Sequence, residues 1–410
     1  MKQQQTKEQV IVIGGGAAGF FFAINLAQMR PDMQVIILEK SNQVLGKVKV
    51  SGGGRCNVTH ACFDPSDLIS YYPRGGKELL GPFHHFQPGD TVAWFEERHV
   101  SLHIESDGRM FPSTNQSQTI IDCFLAEAKK YQVQVHTDTA VQSIQPESTG
   151  VRVQTNKREY QAKYCVIACG SSTFMWNIIA TLGHTIEKPV PSLFTFHIQD
   201  PRIQGLMGVA VPHVRLHIPN TDIETEGPLL ITHWGLSGPA VLKASAWGAR
   251  WMAEKQYKCP IAINFLPQHD EQSAFQTLQQ LRTTHQRKTL FNTPIPPITS
   301  RLWKQLCQYS GITEDVHFAD CSNALLLKLA QTLTNSTFQV KGKSTFKEEF
   351  VTCGGVRLAE IDMRAMESKR VKNLFFAGEV MDIDAVTGGF NFQAAWTTAF
   401  LAARAIAIKP

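Results

Sequence analysis

The chain is poor in charge: Lys, Arg, Asp and Glu make up 18% of its 410 residues, and no long block of like charge occurs. Forty Lys plus Arg against 35 Asp plus Glu leave an excess of only five, so the clustered basic footprint of a nucleic-acid binder is missing and no such partner is expected. Disulfide signals are also lacking. Nine cysteines, at 56, 62, 123, 165, 169, 259, 307, 321 and 353, are odd in number, irregular in spacing and without a Cys-x-x-Cys, which fits a reducing cytoplasm. Cys56/Cys62 and Cys165/Cys169 have no second pair at zinc-ribbon spacing and His84-His85 has no helical partner, so no metal site is expected. Outside residues 10–27, no run approaches the ~18 apolar residues that span a bilayer, and no membrane partner is expected. Internal repeats and low-complexity tracts are absent. What is there, 43% apolar and 9% aromatic residues, is the composition of a folded globular chain. At about 150 residues per domain its length allows two or three domains.

Residues 1–7 are polar with two lysines and residues 10–27 almost wholly apolar, superficially a secretory leader. The glycines argue otherwise. Val10-Ile11-Val12-Ile13 reads as a short buried parallel strand, Gly14-Gly15-Gly16-Ala17-Ala18-Gly19 as a tight turn, residues 20–29 as the helix it opens, and Val35-Ile36-Ile37-Leu38 as a second strand ending at Glu39. A leader has no use for that order, whereas a dinucleotide-binding βαβ unit requires it. Gly14 permits the turn, Gly16 lets backbone approach a pyrophosphate, and Gly19 allows close helix–strand packing. Ala17 and Ala18 join them as cofactor-binding candidates at a helix start, which offers unpaired N–H groups and about half a positive charge. Glu39, twenty residues beyond Gly19 and followed by Lys40, is placed to accept both ribose hydroxyls of an adenosine and disfavours a 2′-phosphate. FAD or NAD is implied.

A second glycine cluster favours FAD. Residues 46–57 contain Lys47, Ser51, Gly52, Gly53, Gly54, Arg55, Cys56 and Asn57 and read as a loop. Its glycines bring amides near a flat ring or phosphate while Ser, Arg and Asn reach polar edges. A simple NAD dehydrogenase needs no such loop. Near the far end, residues 371–376 read as a strand running into Ala377-Gly378-Glu379; Asp384 follows, and Gly388-Gly389-Phe390-Asn391-Phe392-Gln393 opens an Ala-rich helix to 408. That pattern suits the ribityl chain and pyrimidine edge of a flavin, with a polar cap at a helix start. Residues 133–141, closing at Val141, read as the strand and turn beside an adenine, and Tyr164-Cys165-Val166-Ile167-Ala168-Cys169-Gly170 as another buried strand. Residues 139–153 with 158–161 read as a small β-meander between them.

Together these motifs resemble a known family, the bacterial BaiN-like and aminoacetone oxidase-like FAD-dependent oxidoreductases. The resemblance spans nearly the whole chain. It rests on residues 14–19, on residues 46–60 with their signature Ser51-Gly52-Gly53-Gly54-Arg55-Cys56-Asn57-Val58-Thr59, and on Gly108-Arg109-Met110-Phe111-Pro112. It rests equally on Thr232-His233-Trp234-Gly235-Leu236-Ser237-Gly238-Pro239-Ala240, on Thr352-Cys353-Gly354-Gly355-Val356, on Met366-Glu367-Ser368-Lys369 and on residues 377–393. It implies an α/β fold, a FAD-binding Rossmann-like domain of the two-dinucleotide type interrupted by a small β-barrel and a helical module. Residues 1–193 and 354–410 would form the FAD domain, 194–270 and 338–353 the barrel, and 271–337 the helical module. Short β-like runs over 194–266 and a helical pattern over 268–337, broken at Pro294-Ile295-Pro296-Pro297, agree. One departure stands out: residues 171–177 are short where relatives carry a longer glycine-rich loop, so the resemblance implies the cofactor and not the substrate.

The reading is an enzyme, a flavoprotein oxidoreductase whose non-covalently bound FAD takes or gives a hydride. Its substrate would be a small molecule, and its oligomeric state is not legible. No second Gly-x-Gly-x-x-Gly follows a strand, since Gly75-Gly76 and Gly354-Gly355 lack the spacing and the acid, so NAD(P)H would dock only transiently. His233 is the candidate general acid or substrate anchor, with packing against Trp234 as the plain alternative. Arg109 either clamps a substrate carboxylate or makes a structural ion pair. Cys56 and Cys169 are placed near the ring without a dithiol partner. Two other readings stay open: a FAD-binding sensor without turnover, and a tRNA-modifying flavoprotein, for which Lys2, Lys7, Lys341, Lys343 and Lys347 are few.

Overall fold

In the computed structural model, which describes residues 8–344 and 351–409, the first β-branched run forms β1 (Gln9–Ile13), followed by α1 (Ala17–Met29) and β2 (Gln34–Leu38). α1 begins three residues earlier than its apolar run, because Gly16 already caps it and alanines enter a helix readily. Residues 18–27 are all buried, so α1 is enclosed on every side. Its one buried polar side chain is satisfied internally: Asn25 Nδ2 donates to Phe21 O at 2.7 Å and Oδ1 accepts from Trp94 Nε1 at 3.1 Å.

β1 lies within a seven-stranded sheet ordered Ile361–Asp362, Glu367–Ser368, Leu374–Phe376, Tyr164–Ile167, β1, β2, Gln134–His136. The last five run parallel, with Val12 opposite both Val166 and Ile37; the first two pair antiparallel. Strand order reverses at β1, the position where α/β sheets open a ligand crevice. A meander of Val141–Pro146, Val151–Thr155 and Glu159–Ala162 precedes Tyr164–Ile167. Between α1 and the helix Phe390–Ala407, aromatic rings meet: Phe21 lies 4.7 Å from Trp94 and 5.1 Å from Trp396. Each such buried ring contributes about 1.5–3 kcal/mol. These elements form one unit, Met1–Val190 with Val351–Pro410.

The other unit, Pro191–Phe350, holds an antiparallel sheet ordered Ser336–Val340, Cys259–Asn264, Ala210–His217, Glu224–Ile231, Gly235–Ser237, Thr195–His197, Gly342–Ser344. Its first and last strands are successive in the chain, separated by Lys341 alone. One stretch therefore supplies both edges, and the sheet closes on itself as a barrel. The helices Glu271–Thr284, Ser300–Ser310 and Asn323–Thr334 share one apolar core with it, where Leu216, Ile261 and Phe338 of the strands join Trp303, Leu306 and Leu329 of the helices.

Candidate functional site

The glycine fingerprint sits where β1 hands over to α1. Gly14 has φ +113° and a Cβ there would lie 2.5 Å from Ala168 O, while one at Gly19 would lie 2.0 Å from Gly14 O. Packing leaves no room for a side chain at either. Gly16 differs, for its φ of −92° suits any residue and a Cβ there would meet nothing within 4 Å. It borders open space at the start of α1, whose cap makes no side-chain hydrogen bond, so the first-turn amides are left to an anion. Ala17 and Ala18 carry those amides without bulk. At the end of β2, Glu39 Oε2 accepts from Gly15 N at 2.8 Å, and Oε1 accepts from Ser41 N at 2.9 Å and Ser41 Oγ at 2.8 Å. These bonds orient the carboxylate and leave lone pairs for ribose hydroxyls. Lys40 beside it is exposed, Val141 is buried at the start of the meander, and Ala168 is buried against Gly14.

The second glycine cluster is not a loop throughout. It forms α2 (Gly46–Gly54), interrupted at Ser51, Gly52 and Gly53, because Leu45 N is anchored on Gly15 O at 2.8 Å and Lys49 N returns to Leu45 O at 3.1 Å. Gly52, Gly53 and Gly54 then take φ of +57°, +67° and +84°, and a Cβ at Gly53 or Gly54 would meet nothing within 4 Å. That is a second open cradle of backbone. The side chains read at the polar edges of the ring also brace this backbone. Ser51 Oγ donates to Val48 O at 2.9 Å. Arg55 pairs with Glu105 at 2.6 Å and lies 3.9 Å over the Phe111 ring. With its amide oriented so that the oxygen faces Gly389 N, the buried Asn57 donates to Met110 O and Thr59 O and accepts from Gly389 N at 2.9 Å. Burial pushes the Cys56 and Cys169 thiols up to about 12, so neither is a thiolate nucleophile at neutral pH.

At the far end, Gly378 has φ +73°, and a Cβ there would lie 3.0 Å from Ala18 Cβ. Glu379 Oε1 accepts from Thr352 N at 3.1 Å and its other oxygen pairs with Lys47, which is 60% exposed. Gly170, φ +61°, passes close to the same carboxylate. Gly388 and Gly389 take φ of +141° and +93°, and a Cβ at Gly389 would fall 2.4 Å from Thr59 O. The polar cap faces inward. Asn391 Oδ1 accepts from Ala385 N and its Nδ2 donates to Ala385 O, both at 3.0 Å. Gln393 accepts from Thr59 Oγ1 at 2.6 Å and Thr91 Oγ1 at 2.9 Å. The fully buried Asp384 pairs with Arg74, and Phe390 stacks on Tyr71 at 4.2 Å and on His60 at 4.5 Å. Buried amides and carboxylates need partners, and here protein supplies them. Left for a ligand are the backbones around Gly16 and Gly52 to Gly54, the remaining lone pairs of Glu39 and Glu379, and the remaining N–H donors of Lys47. Amides and a cation for a pyrophosphate, with acceptors for ribose and ribityl hydroxyls, fit FAD.

Tyr71, Arg74 and Thr91 escaped the sequence reading as parts of this framework; Thr59 and His60 lie inside the motif of residues 46–60, where no role was read for them. Arg109 takes its structural alternative, pairing with Glu105 at 2.8 Å and Asp107 at 2.7 Å. His233 lies in the barrel unit, exposed, with its ring 5.4 Å from Trp234.

A backbone cradle for FAD on a parallel Rossmann sheet is that of a FAD-dependent oxidoreductase. The chain belongs to the family described as HI0933-like protein Rossmann domain, which matches residues 8–405. It is 31% identical to the ribosomal RNA dihydrouridine synthase of Escherichia coli K12, over 90% of this chain and 91% of that protein. It is 26% identical to the 3-dehydro-bile acid delta(4,6)-reductase of Clostridium scindens, over 95% of this chain and 96% of that one. Among solved structures, the 3-ketosteroid-delta4-(5alpha)-dehydrogenase of Rhodococcus jostii RHA1 shares the fold with a TM-score of 0.52 at 13% identity, covering 100% of this chain and 99% of that one. Among the described residues, no helix is long and apolar enough to cross a membrane.

Proposed function

We propose that this protein is a FAD-dependent reductase of carbon–carbon double bonds conjugated to a carbonyl, and that its substrate is a uracil ring of ribosomal RNA. What carries the reading is a bond change common to two relatives with unlike substrates. A dihydrouridine synthase saturates the uracil C5=C6 bond, and a delta(4,6)-reductase of a 3-dehydro bile acid saturates an alkene conjugated to the 3-keto group. In uracil and in the 4-ene the alkene carbon β to the carbonyl accepts a hydride and the α carbon a proton; in the 6-ene the conjugated δ carbon takes the hydride and its alkene neighbour the proton. Reduced FAD supplies the hydride when bound. The chain's own part is positional: backbone and Lys47 for the pyrophosphate, and Glu39 and Glu379 for hydroxyls; Cys56 and Cys169, kept protonated by burial, offer no thiolate nucleophile, and the proton for the α carbon comes from solvent water. RNA is favoured over a steroid-like substrate by the higher identity, 31% against 26%, and this departs from the small-molecule expectation. A ribosomal RNA substrate puts the protein in the cytoplasm. His233, exposed on a barrel turn, serves here as a substrate anchor.

NAD(P)H is the proposed electron source, docking transiently. The other glycine pairs have packing roles: a Cβ at Gly75 would lie 2.6 Å from Ile383 Cγ1 and one at Gly354 2.7 Å from Pro189 Cα. Neither supplies a second dinucleotide fingerprint. The test mixes anaerobically reduced holoenzyme with ribosomal RNA lacking dihydrouridine, and separately with a 3-keto-4-ene steroid. Flavin reoxidation and a gain of two hydrogens on uridine, read by mass spectrometry, are expected with RNA. Reoxidation by the steroid alone moves the substrate to the other class, and reoxidation by neither refutes the reductase reading.

A further inference from the structure

The barrel unit presents an exposed indole on a fixed backbone. Between Glu224–Ile231 and Gly235–Ser237 the chain turns through Thr232-His233-Trp234-Gly235, where Thr232 N donates to Gly235 O at 2.8 Å and Trp234 N to Thr232 Oγ1 at 3.3 Å. Ile198 N donates to Trp234 O at 3.0 Å. Gly235, φ +145°, sits so close to the neighbouring strand that a Cβ there would fall 2.4 Å from Phe196 O. The turn is therefore held from both sides, yet Trp234 remains 47% exposed. Its ring contacts with His233 and His197 are both T-shaped, at 87° and 76°, so among the described residues no ring lies flat against the indole.

The surroundings are apolar and cationic. Gly208 N donates to Ile231 O at 2.9 Å, which brings the loop of Met207, 64% exposed, beside the turn. Arg301 Nη2 donates to Gly205 O at 2.7 Å and so reaches the same loop. On the other side Lys341 N donates to His197 O at 2.9 Å and its ammonium reaches Gln199 Oε1 at 3.2 Å. Among the described residues neither Arg301 nor Lys341 makes an ion pair, while the acid of this stretch, Asp200, is held in the fork of Arg202 at 2.7 and 2.8 Å. Residues 191–344 carry 14 Lys plus Arg against 10 Asp plus Glu, four of the chain's net five positive charges. A fixed, flat aromatic face flanked by cations that no carboxylate neutralises is how proteins take unpaired nucleotides, the ring stacking on a base and the cations meeting phosphates.

The geometry points to the Trp234 turn as a stacking platform for an unpaired base of an RNA substrate, with Lys341 and Arg301 meeting the flanking phosphates; this rests on the RNA reading above. The test is fluorescence anisotropy of holoenzyme with a labelled, unstructured oligouridine across a salt series, alongside sedimentation with phosphatidylglycerol vesicles. Trp234→Ala is expected to weaken oligouridine binding about tenfold or more, and Trp234→Phe to retain most of it, since one stacked base is removed only in the first. Lys341→Ala with Arg301→Ala is expected to flatten the log–log salt slope by about 1.4, two phosphates of a single strand. FAD content and melting temperature are expected to stay at the wild-type values in all three. Oligouridine binding by the wild type that Trp234→Ala leaves intact overturns the platform while the RNA substrate stands. No oligouridine binding even at low salt removes the RNA reading and the platform together. Binding to vesicles but not to RNA, lost in Trp234→Ala, assigns the indole to a lipid surface and also overturns the proposal.

Discussion

Replacing Gly16 with Val separates cofactor binding from folding. The backbone there has φ −92° and no atom stands within 4 Å of a Cβ, so the apoprotein is expected to fold with a loss below about 0.5 kcal/mol, a melting shift of about 2 °C or less. In the holoprotein the two methyl groups stand before the first-turn amides of α1, which have no side-chain cap to compensate. Losing two charge-assisted hydrogen bonds of about 1.5–3 kcal/mol each weakens FAD binding by roughly two to four orders of magnitude. Quenching of flavin fluorescence on titration into apoprotein measures this, with a thermal melt on the same sample. Gly19→Ala is the control: its Cβ would lie 2.0 Å from Gly14 O, so α1 must move off β1, and the apoprotein is expected to melt several degrees lower before any cofactor is added. Gly16→Val binding FAD within about threefold of wild type, or melting like Gly19→Ala, refutes the assignment of that open space to the pyrophosphate.

Glu360 accepts from Arg370 Nη2 at 2.7 Å, Thr185 N at 2.9 Å, Thr185 Oγ1 at 2.8 Å and His184 Nδ1 at 3.0 Å; these donors, Arg370 foremost, hold its carboxyl at about 2 against the ordinary 4.5. A depressed carboxyl stabilises the fold above its unfolded value and loses that contribution as pH falls from about 4.5 to about 2, so Glu360→Gln is expected to lower stability near neutrality by about 1–2 kcal/mol, screened because Arg370 is 47% exposed. The variant's urea midpoint then changes less than the wild type's as pH falls through that window, and parallel curves contradict the account. His184, held neutral mainly by burial, adds a loss in the same direction, beginning as pH drops below the ordinary histidine range. Cys56, Cys165 and Cys307 are buried thiols pushed up by desolvation, so N-ethylmaleimide is expected to leave them unlabelled in native protein and to find the partly exposed Cys62 first; peptide mapping that shows early Cys56 labelling contradicts this. Acid precipitation is expected to leave a colourless pellet and free FAD in the supernatant, and FMN alone would remove the adenosine role of Glu39.

The βαβ unit was legible because its signals are local. Four apolar residues, a glycine turn and a helix-forming run lie within about twenty positions, and each glycine's role depends on backbone a few residues away or on the adjoining strand. The helical turn of residues 46–50 was not legible, since glycine and β-branched residues argue against helix. It forms because Leu45 N is pinned to Gly15 O. Barrel closure was equally hidden: nothing at Lys341 announces that the strands on either side of it pair with opposite edges of one sheet.

A dinucleotide fold and an adenosine-bearing cofactor follow from one-dimensional pattern alone, because periodicity, turn glycines and an acid at a strand end act over short distances along the chain. Which polar groups find protein partners is settled by packing in three dimensions. Asn391, Gln393, Arg55 and Asp384 all read as ligands in one dimension, and all find protein partners in three, Gln393 on Thr59 and Asp384 on Arg74. The reason is the penalty on a buried amide or carboxylate without a partner: for Gln393 and Asp384 the partner comes from more than 300 residues away, a distance across which sequence pattern carries no signal.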